Sequence, residues 1–492
     1  MNVAHHIQRL AGPRTALVEP SGRQLSFAEL DQRTGELAGA LHRLGLTPGK
    51  RVLLLMPMAI DLYEALIGLF RAGCPVVLLD PSAPTVAENL ARVGLSGFVA
   101  SPKAHLLRLK FSELRGLERY VSAGFTPLPH KNMRRLTGPS TLVDTDADSP
   151  ALLTFTTGST GRPKTVARSH AFLEAQRSIL TEHMGLSPDD IDLPTLPVFL
   201  LNSLSAGATC VLPDADLREV SKVDPAKVIR QIHDHGCTST SGSPAFYEPI
   251  ADALLRDGAT LPSLKKLFTG GARVPAVLLR KLVQVAPNAR IEVVYGSTEA
   301  EPIASIQAHE VLDETAAGER EGRGSCVGRP VDAIDVRITP PGTLADASGI
   351  GEVCVAGPHV NQGYFEDPQA DAANKLREGH RVWHRTGDTG YLDDQGRIWL
   401  VGRVNDMVGA LHPFMVEPVA EAQDHIRRAA LVELEGEAVL ACEVADPPRD
   451  WQEALAERTG ADRVVPVDAI PLDPRHNAKV DRSALRAVLK KP

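Results

Sequence analysis

Close pairs of cysteines are missing from this sequence. Cys74, Cys210, Cys237, Cys326, Cys354 and Cys442 lie far apart and form no C-x-x-C pair. This excludes the common metal-ligand spacings, and a disulfide framework is not expected in a chain of 492 residues. The expectation is six reduced thiols in the core of a cytoplasmic protein. A basic excess is missing too. A net charge of −8 argues against nonspecific nucleic-acid binding, which favours a basic face. It leaves room for a polyanionic ligand held by a few local cations.

Long apolar runs are also absent. "RVLLLMPMAIDLYEALIGLF" is interrupted by Pro57, Asp61 and Glu64, whereas a membrane span wants about 20 consecutive apolar residues. The first twenty residues lack the apolar segment of a secretory signal. No G-x-S-x-G elbow is present, which excludes that type of serine hydrolase. No G-x-G-x-x-G is present, which excludes the usual dinucleotide fingerprint. Aromatic residues make up only 4%, and this does not decide between an aliphatic and an aromatic substrate.

What is present reads as a globular protein of two to four domains by length, with 43% hydrophobic and 23% charged residues. Strand-like and helix-like pieces alternate. "LSFAELDQRTGELAGALHRLGL" has helical spacing, with Ser26 as N-cap and Gly45 near its end. "RVLLLMP", "CPVVLLDP", "GFVAS", "ATCVLP", "KLFTGG" and "IEVVYGS" are strand-like. This rhythm predicts an α/β fold with mainly parallel strands, and ligands in such sheets bind outside the carboxyl ends of the strands. From about Pro341 short antiparallel strands are expected, including a hairpin at "DDQG". A hairpin around "EGE" and a terminal helix "RSALRAVLKK" follow. The division falls near residues 402–405: a large domain over 1–402 and a small one over 403–492.

The chemistry starts at "TFTTGSTGRPK". It fails as a G-x-x-x-x-G-K-[ST] loop, because Pro163 stands where the second Gly should be. The chemical logic survives. Gly158 and Gly161 leave backbone N–H groups accessible; Thr156, Thr157, Ser159 and Thr160 offer hydroxyls; Lys164 offers a cation. All suit phosphate oxygens. A plain polar loop remains an equal alternative on this stretch alone.

Three further blocks follow in order: "VVYGSTEAEPIA" (Val293–Ala304), "HRTGDTGYLDDQGRIWLVGR" (His384–Arg403) and "IPLDPRHNAKVDR" (Ile470–Arg482). With these four blocks the sequence resembles the adenylate-forming superfamily over almost its whole length. The resemblance implies a large domain of mixed, mainly parallel sheets with a distorted barrel-like part, then a small mobile α+β domain. It implies ATP and Mg²⁺ as cofactors and a small carboxylic acid as substrate. The acid is activated as acyl-adenylate and passed to an acceptor such as CoA or an acyl carrier protein.

Residue by residue, the resemblance makes Thr156, Thr157, Gly158, Ser159, Thr160, Gly161 and Lys164 the phosphate loop. Tyr295, with Gly296, would lie against adenine, beside the Gly270–Arg273 turn that contains Gly271 and Ala272. Thr298 would contact phosphate and Glu299 would hold Mg²⁺. Asp388 would accept both ribose hydroxyls, with Arg403 the cation that follows it. Lys479 would bridge the acid and the α-phosphate. Arg273 replaces a frequent Pro and is open between scaffold and site.

Two departures stand out. The hinge position carries Asn405. Gly409 and His412 stand where CoA-forming members have a Lys and a Gly beside the pantetheine tunnel. Segments such as "LPTLPVFLLNSLSAGATCVLP", "GSPAFY" and "CVGRPV" are similar to a subgroup of β-lactone synthetases and fatty-acyl ligases. There the substrate's own β-hydroxyl attacks the adenylate. The acid pocket would then involve Leu200, Asn202, Ser241 and Ser243, each equally open to a packing role. Three readings therefore stand: a thiol ligase, a lactone- or amide-forming enzyme, and a non-catalytic nucleotide-binding relative.

Overall fold

The computed structural model describes residues 1–157, 163–472 and 479–490, without the side chains of Thr157 and Pro163. The chain forms two compact units, Met1–Asp214 with Pro358–Lys375, and Ala215–Gly357 with Leu376–Pro492.

The first unit is built on short apolar strands. Lys131–Asn132, Arg119–Ser122, Gly97–Ala100, Val52–Leu55, Val76–Val77 and Pro150–Thr157 lie side by side in parallel, with Pro163–Ser169 antiparallel at the end. The central strands are apolar on both faces because both are covered, as parallel sheets require. Ile191–Pro194, Thr209–Val211 and Thr15–Val18 form a second parallel group, closed by Gln24–Ser26.

Two helices show how local sequence sets the packing. Phe27–Arg43 begins with a capping box, in which Ser26 and Glu29 satisfy each other's backbone N–H groups. It lies close to Ile60–Arg71: a Cβ added to Gly68 would stand 2.9 Å from Leu37. Every residue of Ile60–Arg71 is buried. Asp61 and Glu64, which break the apolar run in sequence, tolerate this because Arg23 pairs with both. All six cysteines are free and buried. Among the described residues no helix is long and apolar enough to cross a membrane.

The second unit opens with two β-α-β crossovers. Ser239–Gly242, Lys266–Gly270 and Arg290–Ser297 run parallel, joined by helices Pro244–Asp257 and Ala276–Val285. The sheet then turns antiparallel through Ala300–Gln307, Ser325–Pro330, Ile398–Arg403, Arg381–Leu392, Gly351–Ala356 and Asp335–Thr339. Trp383 and Trp399 are its largest fully buried side chains. A separate sheet of Ile426–Leu434, Glu437–Val444 and Arg463–Val467 carries helices Pro413–Glu421, Trp451–Thr459 and Arg482–Leu489. Its hairpin turns on Glu435 and Gly436, both at positive φ, the geometry a two-residue hairpin loop prefers.

Candidate active site

Parallel register brings the carboxyl ends of three strands level in the second unit. Gly242 lies beside Thr269, and Gly270 beside Val294. Just past those ends come Ser243, the Gly270–Arg273 turn, and Tyr295 to Glu299. The approach of two of these strands is tight. A Cβ on Gly270 would sit 2.2 Å from the Val294 carbonyl oxygen, so no other residue fits there. Gly271 has φ of +80° with open space above its α-carbon. Gly and Ala at 271 and 272 leave that edge bare, which suits a flat ring lying against it.

Asp388 and Arg403 arrive from the antiparallel hairpin, directly opposite each other in register. The Tyr295 hydroxyl donates to Asp388 Oδ2 at 2.7 Å, and Arg403 Nε donates to Oδ1 at 3.0 Å. The Asp388 N–H is itself held by Thr386 Oγ1 at 3.1 Å. Burial and then the Asp388 charge push the Tyr295 phenol well above its usual range, so it stays a donor. The Asp388 charge is also the first cause that raises the Arg403 guanidinium, so Arg403 stays a cation. Each carboxylate oxygen keeps a second lone pair. Asp388 can therefore accept from a diol while Tyr295 and Arg403 hold it still.

Thr298 and Glu299 form the two-residue turn between Arg290–Ser297 and Ala300–Gln307, with Ser297 opposite Ala300. Glu299 is 9% exposed. Among the described residues no group of three or more His, Cys, Asp or Glu side chains gathers as a metal cage. A buried carboxylate fits Mg²⁺, which takes one or two carboxylates and completes its shell with phosphates and water. It does not fit a metal that needs an all-protein site.

Lys479 is exposed. The Leu472–Val480 bridge and the Asp481 N–H bond to the Pro471 carbonyl at 2.8 Å pin its segment. Asp481 then caps helix Arg482–Leu489.

In the first unit, Lys164 stands opposite Thr156 on the paired strands that flank the Gly- and Ser-rich loop. Gly158, Ser159, Thr160 and Gly161 lie outside the described residues, as do 473–478. Lys164 is 8% exposed; its ammonium donates to Asn374 Oδ1 at 2.7 Å and lies over the Tyr364 ring. Lys375 approaches the same ring and donates to the Asn361 carbonyl. The Phe365 N–H to Thr165 carbonyl bond, at 2.8 Å, straps this segment to the loop's exit strand. Sequence reasoning did not pick out Tyr364, Asn374 or Lys375. They lie some 200 residues from Lys164, in the unremarkable run "NQGYFEDPQADAANK".

Other sequence-predicted residues take structural posts. Ser243 caps helix Pro244–Asp257 by accepting the Phe246 N–H. Leu200 and Asn202 are buried on helix Pro197–Ser205, where Asn202 accepts from Thr181 at 3.2 Å. Ser241 is buried in its strand. Asn405 sits in the single turn Val404–Asp406. His412 is 8% exposed and lines a cavity of about 230 Å³ with Arg320, Met415, Val419 and Thr459; burial lowers its pKa. Arg273 pairs with Glu421 and reaches toward Glu319.

Comparison with known proteins identifies the family. Residues 4–365 match the AMP-binding enzyme family. The chain is 33% identical to an olefin beta-lactone synthetase of Stenotrophomonas maltophilia, covering 94% of this chain and 90% of that protein. It is 32% identical to an olefin beta-lactone synthetase of Xanthomonas campestris pv. campestris, covering 98% and 96%. The fold matches the amide bond synthetase McbA of Marinactinospora thermotolerans with a TM-score of 0.83 at 23% identity, covering 99% and 100%. The chain belongs to the AMP-binding enzyme family and is an acyl-adenylate-forming ligase.

Proposed function

We propose that this enzyme uses ATP and Mg²⁺ to activate a 3-hydroxy carboxylic acid and closes it to a β-lactone. The observation that carries the first half is the Tyr295–Asp388–Arg403 cluster beside the bare Gly270–Ala272 edge. In this reading Tyr295 and the edge hold adenine. Asp388 accepts the two ribose hydroxyls. Lys164 and the hydroxyl-rich loop hold the β- and γ-phosphates, and Thr298 contacts phosphate.

A carboxylate oxygen of the acid attacks the α-phosphorus, and pyrophosphate leaves. Two anions approach in that step, so the site must place positive charge where it develops. Lys479 supplies it from the small domain (403–492), which closes on the large one (1–402). Bound Mg²⁺ would neutralise charge on the phosphates, and Glu299 is the residue that would hold it.

The relatives at 33% and 32% identity support the second half. The β-hydroxyl oxygen attacks the acyl carbonyl carbon, the hydroxyl loses its proton, and AMP departs with the carbon–oxygen bond to phosphate broken. Gly409 and His412, in place of the residues beside the pantetheine tunnel, fit an acceptor that needs no thiol.

Pyrophosphate exchange across a panel of acids, with ATP and Mg²⁺, tests the first half. Exchange with 3-hydroxy acids is expected, and none with any acid favours a non-catalytic relative. Mass spectrometry of products with and without CoA tests the second. A product lighter than the acid by one water supports the lactone; a thioester formed only with CoA overturns it.

A further inference from the structure

Helix Pro413–Glu421 carries Glu417 and Glu421, four residues apart and so on one face. An arginine from a different segment holds each one. Glu421 pairs with Arg273, which ends the Gly270–Arg273 turn. Glu417 pairs with Arg482, three residues beyond Lys479. The same carboxylates fasten the helix to the neighbouring strand: Ala429 N–H donates to Glu421 at 3.2 Å and Leu431 N–H to Glu417 at 3.0 Å. Behind Arg273, Glu319 stands 4.0 Å from the guanidinium and accepts from Ser325 Oγ at 2.7 Å.

Arg273, Glu319, Glu417, Glu421 and Arg482 are all largely buried. Buried ion pairs often add little net stability, but losing one partner leaves a costly lone charge, so they favour one arrangement strongly over others. Here the arrangement runs from the nucleotide-side turn, along one helix, to the segment that presents Lys479. A frequent Pro at position 273 could not make this contact. Only a planar guanidinium presents two edges to two carboxylates.

We propose that Arg273 is a positioning residue: through Glu421 and helix Pro413–Glu421 it fixes where Lys479 stands relative to the nucleotide turn. The inference rests on the reading of Lys479 given above.

The test is a double-mutant cycle on the full chain: Arg273→Ala, Glu421→Ala and both together, with Arg273→Lys and Glu421→Gln as milder variants. Pyrophosphate exchange gives kcat and the KM for ATP; a thermal scan and fluorescent-nucleotide binding accompany it. A small misplacement of a catalytic group costs on the order of 10- to 100-fold in rate. Each single variant is expected to lose about that much in kcat with nucleotide affinity held, and to melt at a lower temperature because a buried charge loses its partner, so rates are compared well below the lowest melting point. The double variant should lose no more than either single, because both break one strut, and Arg273→Lys should fall between. If either alanine variant fails to fold, Arg273→Lys and Glu421→Gln carry the same comparison. Unchanged kcat, a loss confined to KM, or additive losses would each overturn the strut. Absence of exchange in the unaltered enzyme, by contrast, sinks the Lys479 reading itself.

Discussion

The two units hold their functional groups by different physics. In the first, built on an apolar sheet buried on both faces, the cation Lys164 is steadied by an aromatic ring and an amide. In the second, charged pairs do the placing. Asp388 with Arg403 ties two neighbouring strands, while Arg273 with Glu421 and Arg482 with Glu417 each join segments far apart in sequence. An apolar core tolerates small shifts of a side chain that a fork of hydrogen bonds does not. Damage to the first unit should therefore show as lost stability. Damage to the second should show as lost rate or affinity in a folded protein.

The sharpest test of that contrast is Phe98→Ala. Phe98 is fully buried among Leu53, Val77, Leu114 and Leu153 in the first unit. Its removal should cost about 3–5 kcal/mol in urea unfolding. Trp383, Trp399 and Trp451 all lie in the second unit. Tryptophan fluorescence then reports one unit and far-ultraviolet circular dichroism reports both. A circular-dichroism transition that moves while the fluorescence transition stays would show that the units unfold separately.

Next in size is Lys479→Ala, the opposite case. Removing one preorganised charge from a transition state typically costs about 10²–10³ in kcat. Pyrophosphate exchange should fall by that much, with fluorescent-nucleotide binding and melting temperature unchanged. Full exchange in the variant would remove Lys479 from the mechanism.

Acid should strike the first unit through two core histidines. Burial pushes His105 and His170 down from 6.5 to about 4. The unfolded chain takes up these protons as pH falls through 6.5, whereas the folded chain resists until about 4. Their contribution is present above pH 6.5 and is lost between about 6.5 and 4, at about 3 kcal/mol per histidine. His105→Gln should flatten that part of the stability–pH curve. An unchanged slope would show that the folded protein already accepts the proton.

The smallest effect is expected from Asp388→Asn, which keeps one acceptor oxygen but turns a donor toward Tyr295 or Arg403. Hydrogen bonds to a charged partner are worth about 1.5–3 kcal/mol. The KM for ATP should rise roughly 10- to 100-fold, with kcat nearly intact. A fall in kcat alone would place Asp388 in the chemical step instead.

Much of this was legible in the chain, unevenly. Elements announced themselves where one local signal was strong: the Ser26 N-cap, the apolar strand "GFVA", the "EGE" turn. The Tyr295, Asp388 and Arg403 blocks stood out through their resemblance, in order along the chain, to those of the adenylate-forming superfamily. What stayed hidden was pairing at a distance. Nothing around Arg273 announces a partner 148 residues away, so scaffold and site looked equally good. Tyr364 and Lys375 were invisible for the same reason. Ser243 stood open between pocket and packing, and its hydroxyl caps a helix, a role that depends on the fold around it.

The turn at Thr298 and Glu299 has a consequence for how this enzyme can vary. The pair that would meet phosphate and metal is itself the whole connection between two antiparallel strands. One inserted residue would either carry Glu299 away from the strand ends or slip Ala300–Gln307 by one place and turn its faces over. Length is thus fixed at this point by chemistry and by pairing together. New substrates should be sought through residue exchange along the parallel strands. Loops elsewhere can be lengthened or grafted, while this one admits substitutions and nothing more.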